Sequence, residues 1–140
     1  MNSASIVWLA VAAAHLGFQA TVTALVYPAL ARVPAAGWAQ AHRLHSRAIT
    51  PLVVVIYGSL LLAGGWAWWS GPSRSTVVAL TATAVAMAVT AIAAAPTHGR
   101  LGNGYDADRI RRLLRVDRLR AAAAAVAFVA AVAPVIGRHV

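Results

Sequence analysis

The sequence predicts an all-α polytopic membrane protein: a bundle of four transmembrane helices with an interfacial, amphipathic extension before the last. Three observations carry this. Of 140 residues, 61% are hydrophobic and only 11% are charged, whereas a soluble domain carries roughly 25% charged residues. Four apolar segments come near the ~20 residues that a spanning helix needs. No segment alternates apolar and polar residues with period two, as a barrel strand does. Backbone groups in lipid must bond internally, so apolar runs of this length read as helices. The chain, 1–140, reads as a single domain.

The first span covers about residues 5–30. The opening MNSASIVWLAVAAAH has no positive charge ahead of its apolar run and does not read as a cleaved signal peptide. His15, Gln19, Thr23 and Tyr27 follow at intervals of four and share one helix face. Such a stripe faces a bundle interior. It reads either as interhelical hydrogen bonding or as one wall of a polar pocket, which Tyr57 of the second span also lines.

The second span covers about residues 49–69. A helix starting at Gly37 and Trp38 is expected to run through AHRLHSR (41–47) into it, with a bend at Pro51. Gly64 and Gly65 read as packing positions. The third span, about 75–95, carries Thr76, Thr83, Thr90 and Thr97 at seven-residue spacing, a helix-packing pattern. Pro96 follows its end, and the glycines of APTHGRLGNGYD are expected to make a mobile loop. The fourth span is about 119–136, and its helix is expected to begin earlier, in DADRIRRLLRVDRLR. Asp106 suits the N-cap, and Asp108 complements the helix dipole in the first turn. Ile110, Leu114, Asp117, Ala121 and Ala124 follow one face. Asp117 therefore points inward with Arg120 one turn on, while Arg111, Arg112, Arg115 and Arg118 face headgroups or water.

All twelve basic residues are arginine, and ten lie in or beside the connections between spans one and two and between spans three and four. Only Arg74 and Arg138 fall elsewhere. The positive-inside rule then puts both connections in the cytoplasm and both termini outside it, in an inner or plasma membrane. Trp8, Trp66, Trp68 and Trp69 lie at the outer ends, where an aromatic belt is expected. Topology thus accounts for the net charge of +9. The expected partners are the bilayer and a lipophilic small molecule, not nucleic acid; a homo-oligomer is left open. The absence of cysteine excludes disulfides and thiolate metal sites.

His42 and His45, three apart, share a helix face. They suit two ligands of one metal or an acid–base pair. His98, at the same end of the neighbouring span, converges on them. The candidate site is therefore His42, His45, His98 and Asp117, supported by Arg120 and Tyr105. Three imidazoles and a carboxylate suit Fe, Cu or Zn. Haem held between two histidines is an alternative, and a site without any cofactor is a third. A di-iron carboxylate centre does not fit a chain without Glu. His15 lies too deep to join the cluster, and His139 lies near the outer terminus. Each feature has a plainer reading: a short His spacing recurs by chance, and Asp117 with Arg120 makes an ion pair that only locks helices together.

The order Tyr27-Pro28, then His42 and His45 before a span, then Pro96 to Asp106, then Asp117 with Arg120 opening the last helix, resembles small bacterial four-helix membrane proteins and, more distantly, the anthrone-oxygenase-like membrane proteins. The resemblance covers most of the chain, its specific part about ten positions. It implies a four-helix membrane fold and oxidative chemistry on a lipophilic aromatic or polyketide-like substrate, and it brings no defined cofactor. The expectation is a membrane-embedded enzyme, an oxidoreductase, with its histidine-rich site on the cytoplasmic face. The alternatives are a haem- or metal-binding redox module and a non-catalytic membrane assembly subunit. A transporter is disfavoured, since no inverted repeat is visible.

Overall fold

The computed structural model describes residues 2–136, the side chain of Val135 excepted, so Arg138 and His139 lie outside the described residues. Among the described residues all regular structure is helical. Helix α1 (Ser3–Thr21) starts behind Asn2, whose side chain accepts from the Ser5 amide at 2.9 Å and so satisfies an otherwise orphaned donor. A π turn (Val22–Val26) leads into α2 (Tyr27–Ala31). After a short 3-10 turn, α3 (Trp38–Trp69) runs unbroken through AHRLHSR and Pro51. Its 32 residues make about 48 Å of helix, more than a ~30 Å hydrocarbon core. Helix α4 (Arg74–Val89), capped by Ser73, passes through a second π turn (Thr90–Ala94) into α5 (Ala95–Leu101). Helix α6 (Ala107–Ile136) begins at the expected cap: the Arg109 amide donates to Asp106 Oδ1 at 3.0 Å.

The two π turns have one cause. Each precedes a helix with proline at its second position, Pro28 and Pro96. A proline ring clashes with the carbonyl four residues back and cannot donate to it. Those residues are Ala24 and Ile92, the central residues of the two π turns. Widening the turn relieves the clash and lets the helix continue. The expected mobile loop after Pro96 is therefore corrected: the helix runs on to Leu101, and His98 sits on it.

Three helical runs are long and apolar enough to cross a bilayer: Ser3–Ala31, Ala35–Trp69 and Arg74–Leu101. The fourth expected span is less clear. The first half of α6 carries its arginines, and the apolar part after Arg120 makes only about 24 Å of helix within the described residues.

The bundle interior is layered. At one end Trp8, Ala12, Leu60, Ala63, Ala67, Ala79 and Ala131 form an apolar cluster. At the other, Leu30, Trp38, Ala94, Leu101, Ile110 and Leu113 form a second. Between them lie the buried polar groups His15, Gln19, Asp117 and Arg120. Trp8 corrects the belt expectation. It is 2% exposed and packs over Gly64, where a Cβ would lie 3.3 Å from its ring and 3.0 Å from Leu80 Cδ2. Trp66, Trp68 and Trp69 are exposed.

Candidate functional site

Two adjoining centres occupy the interior. The first surrounds a carboxylate. The α6 face that buries Ile110, Leu113, Ala124, Ala127 and Ala131 also buries Asp117 and Arg120. Asp117 Oδ1 accepts from Gln19 Nε2 at 2.7 Å and from Arg120 Nη1 at 3.1 Å, and Oδ2 accepts from Thr23 Oγ1 at 2.5 Å. Arg120 Nη2 donates to Tyr57 Oη at 3.1 Å, and that oxygen lies 2.7 Å from Thr90 Oγ1. The ring of His15 stands edge-on to Tyr57 at 5.8 Å and is 1% exposed. The predicted polar stripe of α1 thus does face inward. Its Gln19 and Thr23 complete the shell of a buried ion pair, the arrangement such a pair requires.

The second centre is made of imidazoles. The His42 and His98 ring centroids are 4.5 Å apart, and those of His45 and His98 are 5.3 Å apart. Tyr27 lies 6.0 Å from His45 and 6.4 Å from His98, carried there by the helix that restarts after the first π turn. Trp38 lies against His42 at 5.5 Å, and its Nε1 donates to the Leu101 carbonyl at 2.9 Å, tying α3 to α5. His42 Nε2, His45 Nε2 and His98 Nδ1 are buried without a hydrogen-bond partner. His98 Nε2 lies 3.2 Å from Ser46 Oγ, and Ser46 spends its single hydroxyl proton on the His42 carbonyl at 2.8 Å. Towards His98 the hydroxyl can therefore only accept. In the tautomer that matches this bond, His98 carries its proton on Nε2 and Nδ1 keeps a bare lone pair.

The structure thus brings His42, His45 and His98 together and keeps Asp117 apart. Both oxygens of Asp117 are committed to Gln19, Thr23 and Arg120, which corrects its expected place as a fourth ligand. Arg120, expected to support the site, is committed to Asp117 and Tyr57. Tyr105 is also corrected: it is exposed and packs edge-on to Trp38 at 5.7 Å, with Trp38 between it and His42. Among the described residues, no three His or Asp side chains are gathered into a group that would hold a metal ion as they stand. Ser46, four residues after His42 on the same face, is not among the expected site residues, and Thr90, expected to be a packing residue, meets Tyr57.

A cavity of about 200 Å³ adjoins both centres. Phe18, Val22, Ile49, Val53, Val54, Ala94 and Ala95 make it apolar, and Tyr27, Thr50, Thr90, His98 and Arg120 supply its polar groups. It opens at the flank of the bundle, beside the exposed side chain of Val54. No family model matches the chain, and no curated protein or solved structure is significantly similar to it.

Proposed function

We propose that the protein is a membrane-embedded oxidoreductase that takes a lipophilic substrate from the bilayer into this cavity. The carrying observation is the cavity itself: apolar at the flank that lipid would cover, with His98, Tyr27 and Arg120 among its lining residues. A cavity of 150 Å³ holds benzene, so 200 Å³ accepts the one-ring head of a larger molecule whose tail stays in lipid. Membrane embedding is supported by the three long apolar helices. It is supported too by an exterior on which Leu25, Leu62, Ile92 and Val129 are all exposed. On this reading α6 crosses as the fourth span, and the arginine-rich end, with the histidines, faces the cytoplasm. Because Arg120 is already neutralised by Asp117, the cavity suits a neutral hydrogen-bonding head better than an anion. The oxidative character rests on the resemblance described above. Haem fits less well, because rings 4.5 Å apart leave no slot for a porphyrin between them.

The test uses purified protein in nanodiscs and a decyl-tailed hydroquinone, whose two hydrogens pass to dioxygen to give quinone and hydrogen peroxide. Wild type should consume oxygen above empty discs. Val53→Trp, which fills the cavity from its lipid side, should lower that rate at least tenfold. A wild-type rate equal to that of empty discs, or a Val53→Trp variant as fast as wild type, would refute the reading.

A further inference from the structure

We propose that His42, His45 and His98 bind one first-row transition metal ion, with an open coordination position turned towards the cavity. This deepens the reading of the same site and rests on it only for the open position. Four observations carry it. Three imidazoles from two helices meet in one cluster, each with a buried ring nitrogen that has no partner. A buried polar atom left unpaired is destabilising, so three at one place mark a site that a ligand completes. Two separations suit an ion: imidazoles held by one metal at 2.0–2.1 Å have ring centroids ~5 Å apart, and His98 stands 4.5 Å from His42 and 5.3 Å from His45. Finally, the His98 ring is already oriented as a ligand. A metal-bound histidine donates its other ring N–H to an acceptor that fixes its tautomer, and Ser46 Oγ fills that place.

The three nitrogens are not yet aimed at a common point. Turning the His42 and His45 rings about their Cβ–Cγ bonds re-aims their nitrogens, leaves the centroids almost where they are and keeps the bond between His98 and Ser46. The committed oxygens of Asp117 leave the set all-imidazole, which suits Zn, Cu, Fe or Ni and disfavours Mg and Ca. Three protein ligands leave a fourth position free, as catalytic rather than structural sites do. His98 lines the cavity, so a substrate or water would meet the ion there.

The experiment uses the full chain in detergent, stripped with a chelator and then titrated with Co(II), followed by its visible d–d absorption, and with Zn(II), followed by calorimetry. One ion per chain should bind, and melting should move to higher temperature as the ion is added. His42→Gln and His98→Gln should each weaken binding at least a hundredfold. Ser46→Ala removes no ligand and should weaken it ten- to a hundredfold through the His98 tautomer. Tyr105→Phe should leave binding unchanged. The wild-type titration decides the matter even if a variant fails to fold: no uptake of Co(II) or Zn(II) at stoichiometric concentration overturns the site, as does full affinity in His42→Gln/His98→Gln. Metal uptake without hydroquinone oxidation counts for the site and against the reaction. Oxidation at full rate by the stripped protein keeps the reaction and overturns the ion's open position in it.

Discussion

Replacing Asp117 with alanine should cost about 4 kcal/mol of stability. Asp117 is 0% and Arg120 4% exposed, so the guanidinium loses its only carboxylate in a place water does not reach. Breaking a buried pair from one side costs 3–5 kcal/mol. The neutral contacts matter less, since interhelical hydrogen bonds within membranes average ~0.6 kcal/mol and the Thr23 hydroxyl can turn to another acceptor. Charge burial therefore sets the size of the effect, and ~4 kcal/mol is a large part of the 5–15 kcal/mol that holds a domain together. Asp117→Asn keeps the shape and one acceptor but loses the charge, and should fall between wild type and alanine. Asp117→Leu/Arg120→Met removes both charges and should recover most of the loss, because apolar replacement of a buried pair is often neutral or better. Denaturant titration of the detergent-solubilised protein, followed by tryptophan fluorescence, measures wild type and all three variants. A cost below ~1 kcal/mol for Asp117→Ala is what an exposed ion pair gives, and would refute a desolvated Asp117. A double variant no better than the single one would show that the loss was never electrostatic.

Gly64→Ala should destabilise by about 1–3 kcal/mol, since its Cβ would sit 3.0 Å from Leu80 Cδ2 and 3.3 Å from Trp8. Gly17→Ala, with nothing within 4 Å of its Cβ, should be neutral or stabilising by up to ~1 kcal/mol. Thermal melting of the two variants side by side checks both. Trp38→Phe deletes the donor to the Leu101 carbonyl and should cost about 1–2 kcal/mol; hydrogen exchange should rise in α5 first. Single cysteines at positions 2 and 103 should be labelled from opposite sides of the membrane, position 103 from the cytoplasm. Labelling of position 2 from the cytoplasm alone would reverse the orientation.

Much of the fold could be read from the sequence because burial repeats along a helix. The four-residue spacing of His15, Gln19, Thr23 and Tyr27 fixed a face, and that face does meet Asp117 and the histidines. Asp106 was legible as a cap because a cap is local chemistry. Trp8 was misjudged because an aromatic near a span end suits an interfacial belt as well as a core. The choice depended on Gly64, 56 residues away, leaving room for the ring. Pro96 was read as a helix end because proline disfavours a helical residue before it. A π turn offers the chain another solution, and nothing local to the proline distinguishes the two.

The separation of Asp117 from the imidazoles has a different origin. A helix's own pattern tells which way a side chain points and not how high it stands against its neighbours. Asp117 and His98 both point inward, but Asp117 stands level with Gln19 of α1 and Thr23 of the first π turn, whereas His98 stands level with Ser46 of α3. Only packing between helices sets those heights, and here the ties are specific: Trp38 to the Leu101 carbonyl, Ser46 to His98, Gln19 to Asp117. Tyr27 joins the two centres, because the π turn before Pro28 restarts the helix with that ring 6.0 Å from His45 and 6.4 Å from His98, one turn beyond the threonine that holds Asp117. The proline that perturbs α1 thus sets Tyr27 beside the imidazoles. π turns are frequent at functional sites. Both of them here contribute side chains to the one cavity, Val22 from the first and Thr90 and Ala94 from the second. If only helix packing were at stake, two uninterrupted helices would have served, and the prolines at 28 and 96 would be a cost in stability with no return in shape.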